Sequence, residues 1–120
     1  MAKFMLILHD SPNRMKKMSP EEMQRTFEKY RSWSDKIRSA GRMVASDKLR
    51  DEGGKVLSRR EGRLSVLDGP YSEAKEVVAG FFVFRADNYE QAVELTSDCP
   101  HLNFGRIELR QVDAMGCGEE

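Results

Sequence analysis

Neither sign of charge prevails in this sequence: twenty Lys and Arg offset twenty Asp and Glu among 120 residues. Proteins that hold DNA or RNA by its phosphates carry a basic excess or a basic stripe. The basic clusters here, Arg14, Lys16, Lys17 and Arg59, Arg60, Arg63, have acidic neighbours and read as solvated faces, so nucleic acid is not an expected partner. Long apolar runs are also missing. The opening run Phe4-Met5-Leu6-Ile7-Leu8 is far too short for a membrane span or a signal-peptide core, which predicts a soluble protein with no membrane partner. Cysteine is scarce, with only Cys99 and Cys117. Without a signal peptide or a disulfide framework, reduced thiols in a cytoplasm are the simplest expectation. No Cys-x-x-Cys pair and no His pair on one helix face suggests zinc, and no phosphate motif stands out, so no cofactor is expected. Cys117 sits in a Gly-Cys-Gly tail and Cys99 precedes Pro100; neither reads as a nucleophile.

Apolar residues make up 39% of the chain and charged residues 33%, the balance of a polar globular protein. Its length suits one domain, and a chain of this size buries roughly two-thirds of its unfolded surface without staples. The expected layout is one domain over 1–112 and a flexible tail over 113–120.

Residues 3–9 read as a buried strand, apolar throughout, as for a strand covered on both faces. Ser19-Pro20-Glu21-Glu22 is a helix start: the Ser19 hydroxyl and the Glu22 carboxylate can cap one another's backbone amides, and Pro20 takes the first helical position. Met23, Phe27, Tyr30, Ser34 and Ile37 then recur at steps of three or four, with Trp33 at the stripe's edge, and Gly41 ends the helix. Residues 42–49 suggest a weak strand, and Glu61-Gly62 a two-residue hairpin turn between 55–60 and 63–67. Asp68-Gly69-Pro70 is a strong turn. A second buried strand is expected over 77–85, a helix over 88–97 capped by Asp87 or Asn88, and a last strand over 105–112.

Strand, long helix, strands, strand, helix, strand is the order of an α+β fold. The expected architecture is a ferredoxin-like split βαβ with an antiparallel sheet covered on one face by two helices. Nothing is left in the chain to cover the other face, and a second copy is the simplest cover, giving a homodimer.

Leu67-Asp68-Gly69-Pro70-Tyr71-Ser72-Glu73-Ala74-Lys75-Glu76, followed by Gly80-Phe81, resembles the motif of the YCII-related, DGPF-type domains, with Tyr71 where that motif has Phe. The start Lys-Phe-Met-Leu-Ile-Leu-His, the Ser-Pro-Glu-Glu-Met helix start and the closing Gly-Arg-Ile-Glu-Leu-Arg-Gln-Val agree with it, so the resemblance spans about residues 3–112. It implies a ferredoxin-like dimer, akin to small enzymes and binding proteins for aromatic or lactone-like molecules. Some YCII relatives resemble enzymes that use a His–Asp pair with the His in the first helix, but no histidine lies between residues 19 and 41 here. The DGPF branch is also associated with extracytoplasmic-function sigma factors, which implies a regulatory role as one alternative.

Two residues are singled out for chemistry. His9 ends the first strand and is one of two histidines, and Asp68 stands in the motif. If they met, the carboxylate would fix the imidazole tautomer and make an acid–base pair for a lyase or isomerase. Gly69, Pro70, Glu73 and Lys75 are candidate ligand contacts around the same turn, and Trp33 is expected at a pocket or subunit boundary. His101, in Cys-Pro-His-Leu, is a weaker candidate that reads first as structural. A dimeric small-molecule binding or accessory protein is the favoured expectation, with the His9–Asp68 enzyme as the alternative.

Overall fold

Strand β1 (Ala2–Asp10) runs through the middle of a four-stranded antiparallel sheet. A computed structural model describes residues 1–11, 14, 17–69 and 76–114. Side chains alternate along β1: Phe4, Leu6, Leu8 and Asp10 are buried, whereas Met5, Ile7 and His9 are only half-buried. The chain therefore covers one face of its central strand, not both as the unbroken apolar run suggests.

Helix α1 (Pro20–Ser39) follows from the capping box its sequence announces. Ser19 Oγ accepts from the Glu22 amide at 3.1 Å, and Glu22 Oε1 accepts from the Ser19 amide at 3.1 Å. Gly41, at φ 75°, turns the chain just past the helix end, where a left-handed residue is needed. The buried residues of α1 are Thr26, Trp33, Ser34 and Ile37, so the core-facing stripe is rotated from the expected one. Trp33 belongs to its centre and Phe27 is 41% exposed.

Five further strands and a second helix follow: β2 (Met43–Lys48), β3 (Lys55–Arg60), β4 (Arg63–Asp68), β5 (Val77–Ala86), α2 (Tyr89–Thr96) and β6 (Arg106–Gln111). Asn88 caps α2, its Oδ1 accepting from the Gln91 amide at 2.9 Å. A short 3-10 helix, Pro100–Asn103, separates α2 from β6.

The sheet order is β2-β5-β1-β6. One helical crossover joins β1 to β2 across β5, and the other joins β5 to β6 across β1. Both helices pack on the same face, where Phe4, Leu6, Leu8 and Phe84 meet Trp33, Ile37 and Ala92. The strands β3 and β4 pair only with each other, and their hairpin turns at Glu61 and Gly62 with φ 48° and 78°, the left-handed pair a two-residue turn requires.

Candidate functional site

The register decides which residues at the end of β1 can share a site. Successive strand residues point to opposite faces. Asp10 continues the inward series of Leu6 and Leu8, while His9 joins Lys3, Met5 and Ile7 on the face the helices leave open. There His9 Nε2 lies 3.0 Å from Glu108 Oε1 of β6. Asp68, at the far end of the β3–β4 hairpin, is ion-paired with Lys55 and 84% exposed. No hydrogen bond or ion pair joins His9 to Asp68, so the structure does not assemble the pair anticipated from the sequence.

Gly69 has a packing role. Its amide donates to Gly54 O at 2.9 Å, and a Cβ there would fall 2.5 Å from Gly53 O. Pro70, Glu73 and Lys75 lie outside the described residues. Trp33 is 3% exposed and sits in the core, not at a boundary: its indole N–H is shared by Leu95 O at 3.2 Å and Asp98 Oδ1 at 3.1 Å, and its ring meets Phe82 edge-on at 5.1 Å. The indole anchors α1 to the end of α2. Asp98 also accepts from Lys36, and that hydrogen bond holds its carboxyl below the usual range.

The C-terminal half of α1 closes onto the sheet, but its N-terminal half stands over a cleft of about 990 Å³. The cleft is lined on one side by Thr26, Phe27 and Tyr30 of α1, and on the other by Leu8, Val78, Gly80 and Phe82 of the sheet and Val56 of β3. Gly80 lets β2 approach β5 closely, since a Cβ there would fall 2.8 Å from Asp47 O. Apolar walls with a few convergent polar groups are the usual make-up of a small-molecule site.

Four polar residues converge at one end of this cleft: Asp10, Arg14, Tyr30 and His101. Asp10 is 4% exposed, yet both its oxygens are satisfied, Oδ1 by the Ser11 amide and Oδ2 by Arg14 Nε, each at 2.7 Å. The Arg14 guanidinium lies 4.3 Å over the Phe104 ring, a cation–π contact that fixes its plane. His101 is 1% exposed and its ring is held at both nitrogens. Nε2 is 2.8 Å from the His9 carbonyl oxygen, which can only accept, so Nε2 carries the proton. In the neutral ring Nδ1 is then the acceptor, and the Tyr30 hydroxyl donates to it at 2.7 Å. Burial pushes the Tyr30 phenol well above its ordinary range, with Arg14 opposing the shift and Asp10 adding to it.

Of this cluster the sequence marked only His101, and as a structural residue. One sign was available: Asp10 follows Leu6 and Leu8 at a spacing of two, and Arg14 follows four residues later. Among the described residues no group of three or more His, Cys, Asp and Glu is arranged to hold a metal ion, and no helix is long and apolar enough to cross a membrane.

None of the curated proteins compared matches the chain. The family model of the YCII-related domain matches residues 2–115, nearly the whole length, and includes every strand, both helices and the cleft. The chain belongs to the YCII-related domain family.

Proposed function

We propose that this protein is a homodimeric small-molecule-binding domain whose ligand occupies the cleft beneath the N-terminal half of α1. One observation carries the reading: apolar walls of a 990 Å³ cleft end at the cluster of Asp10, Arg14, Tyr30 and His101. Such a site suits a small, largely apolar molecule, aromatic or lactone-like, with a polar group at one end. The strand order and its two interleaved crossovers support a ferredoxin-like reading of the sheet.

Dimerisation is supported by the uncovered sheet face and by the shape of the chain. Met5 and Ile7 of β1 stand beside Phe81 and Val83 of β5 there, all half-buried in the lone chain and fringed by Lys3, Arg85, Arg106 and Arg110. The molecule measures 46 × 43 × 18 Å, a slab with a radius of gyration of 16.4 Å. A compact chain of this length would have roughly 14 Å. A second copy laid on this face would bury the apolar centre of both sheets at once, as an isologous contact does.

The test of binding is a set of small aromatic acids, ketones and lactones added to isotope-labelled protein, read by amide chemical shifts. Shifts grouped on β1, β5 and the first half of α1, and abolished by the cleft-filling substitution Val77→Trp at the cleft-lining strand partner of Asp10, support the reading. Shifts elsewhere, or none across the set, end it. For the dimer, sedimentation equilibrium of the wild type and Ile7→Glu should give a dimer and a folded monomer. A monomeric wild type at tens of micromolar removes the second copy.

A further inference from the structure

We propose that Tyr30 and His101 form a proton relay serving the cleft, with the Tyr30 hydroxyl oxygen as the group that exchanges a proton with the bound molecule. The inference rests on the binding reading above and assigns that site a reaction. The 2.7 Å hydrogen bond from Tyr30 Oη to His101 Nδ1 supplies the path. The second bond, from Nε2–H to the His9 carbonyl at 2.8 Å, fixes which nitrogen is free to receive. Both residues line the cleft, and so does the Asp10–Arg14 pair.

A histidine with both nitrogens occupied is often only a core residue. The partner makes the difference here. Tyr30 is half-buried on the cleft wall, and when its O–H points at His101 its oxygen keeps lone pairs for an acidic hydrogen of the ligand. Burial keeps the resting phenol neutral, so the pair separates charge only when a proton arrives from the cleft. Ring planes tilted by 48° and centroids 6.0 Å apart give contact through the hydrogen bond, not through stacking.

The chemistry these groups can perform is proton transfer at a carbon next to a carbonyl. The C–H bond breaks, and its electron pair becomes the double bond of an enolate. The proton forms a new bond to Tyr30 Oη as the original hydroxyl proton passes to His101 Nδ1. The imidazolium so formed still donates from Nε2 to the His9 carbonyl, and the Arg14 guanidinium, of the cleft's cations the one that acts on Tyr30, faces the enolate oxygen. Reversal delivers the proton to the oxygen or to another carbon, so atoms and electrons balance without a co-reactant. The ligand class is a small carbonyl compound with an acidic C–H, such as an aromatic α-keto acid or a 1,3-diketone, and the reaction class is keto–enol or double-bond isomerisation.

The experiment uses the full-length protein in heavy water with three probes: phenylpyruvate, benzoylacetone and acetylacetone. Proton NMR follows loss of the exchangeable C–H signals, and line broadening of the remaining signals reports binding. The relay predicts catalysed exchange with at least one probe, lowered on the order of a hundredfold in Tyr30→Phe while broadening persists. His101→Asn, which keeps an acceptor near Nδ1 but no proton sink, should lose any acid limb found in the wild-type pH–rate profile. Binding without catalysed exchange, or wild-type exchange in Tyr30→Phe, overturns the relay and leaves the binding reading intact. No broadening with any probe, together with no amide shifts at the cleft from the ligand set, overturns both. Tyr30→Phe retains the ring on the helix, so loss of folding does not mask the outcome.

Discussion

Gly105 packs directly on the backbone of His9. A Cβ at Gly105 would fall 2.1 Å from the His9 carbonyl oxygen and 3.0 Å from His101 Nε2, the two atoms whose hydrogen bond orients the imidazole. The Gly105 amide also donates to the His101 carbonyl at 2.9 Å, so the turn into β6 and the cleft share one backbone arrangement.

Gly105→Ala should therefore do more than add a methyl group. The clash is with backbone, so β1 or the 3-10 helix must move. Overpacking of this kind costs about 1–3 kcal/mol. Urea denaturation should show a loss at or above the top of that range, and the His101 ring signals should shift. Unchanged stability and unchanged ring signals would mean that the turn relaxes freely.

The capping box at the start of α1 predicts a pH signature. The Ser19 amide and hydroxyl hold the Glu22 carboxyl below its ordinary value. A depressed folded-state pKa adds stability above the unfolded value, and that stability is lost as pH falls through the folded one. Ser19→Ala should cost about 1 kcal/mol at neutral pH. Glu22→Gln should be destabilising at neutral pH, with the gap to wild type closing in acid. Thermal melts at pH 7 and pH 3 measure both.

What the sequence disclosed was local, and what it concealed was phase. Ser19-Pro20-Glu22 and Glu61-Gly62 act over three or four residues, and the helix start and the hairpin turn stand where those residues put them. The unbroken apolar run of β1 carries no polar alternation, so it does not tell which of His9 and Asp10 faces the helices. The register resolves it: Asp10 faces the helices and His9 the open face. The same holds for α1. Its apolar stripe is wide enough for two faces, and only packing against α2 and Phe82 selects the one with Trp33 at its centre. The stripe's other side, Phe27 and Tyr30, is left to the cleft, where Tyr30 meets a histidine from a short helix far along the chain.

Trp33 is the sole tryptophan, so its emission reports the α1–α2 contact. Trp33→Ala should cost about 3–5 kcal/mol, the usual loss for a buried indole. Trp33→Phe keeps the edge contact to Phe82 but removes the N–H shared by Leu95 and Asp98, and should cost less. Calorimetric melts of the two variants rank them. Equal losses would mean that the hydrogen bonds, not the ring volume, hold this junction.

Cys99 offers a test of the core that needs no ligand. Burial at the end of α2 pushes its thiol up to about 11 from an ordinary 9.0, and the side chain is 2% exposed. Thiolate is the reactive form. Near neutral pH the shift alone lowers the thiolate fraction on the order of a hundredfold. In a Cys117→Ser background, iodoacetamide at pH 8 should modify the folded protein at least a hundredfold more slowly than the urea-unfolded chain, as followed by intact mass. The same shift has a thermodynamic consequence. A raised folded-state pKa gives stability that is complete below the unfolded value and lost as pH rises through the folded one. Wild type should therefore lose stability between about pH 9 and pH 11 relative to Cys99→Ala. Rapid labelling of the folded protein would place the thiol at the surface and remove it from the core.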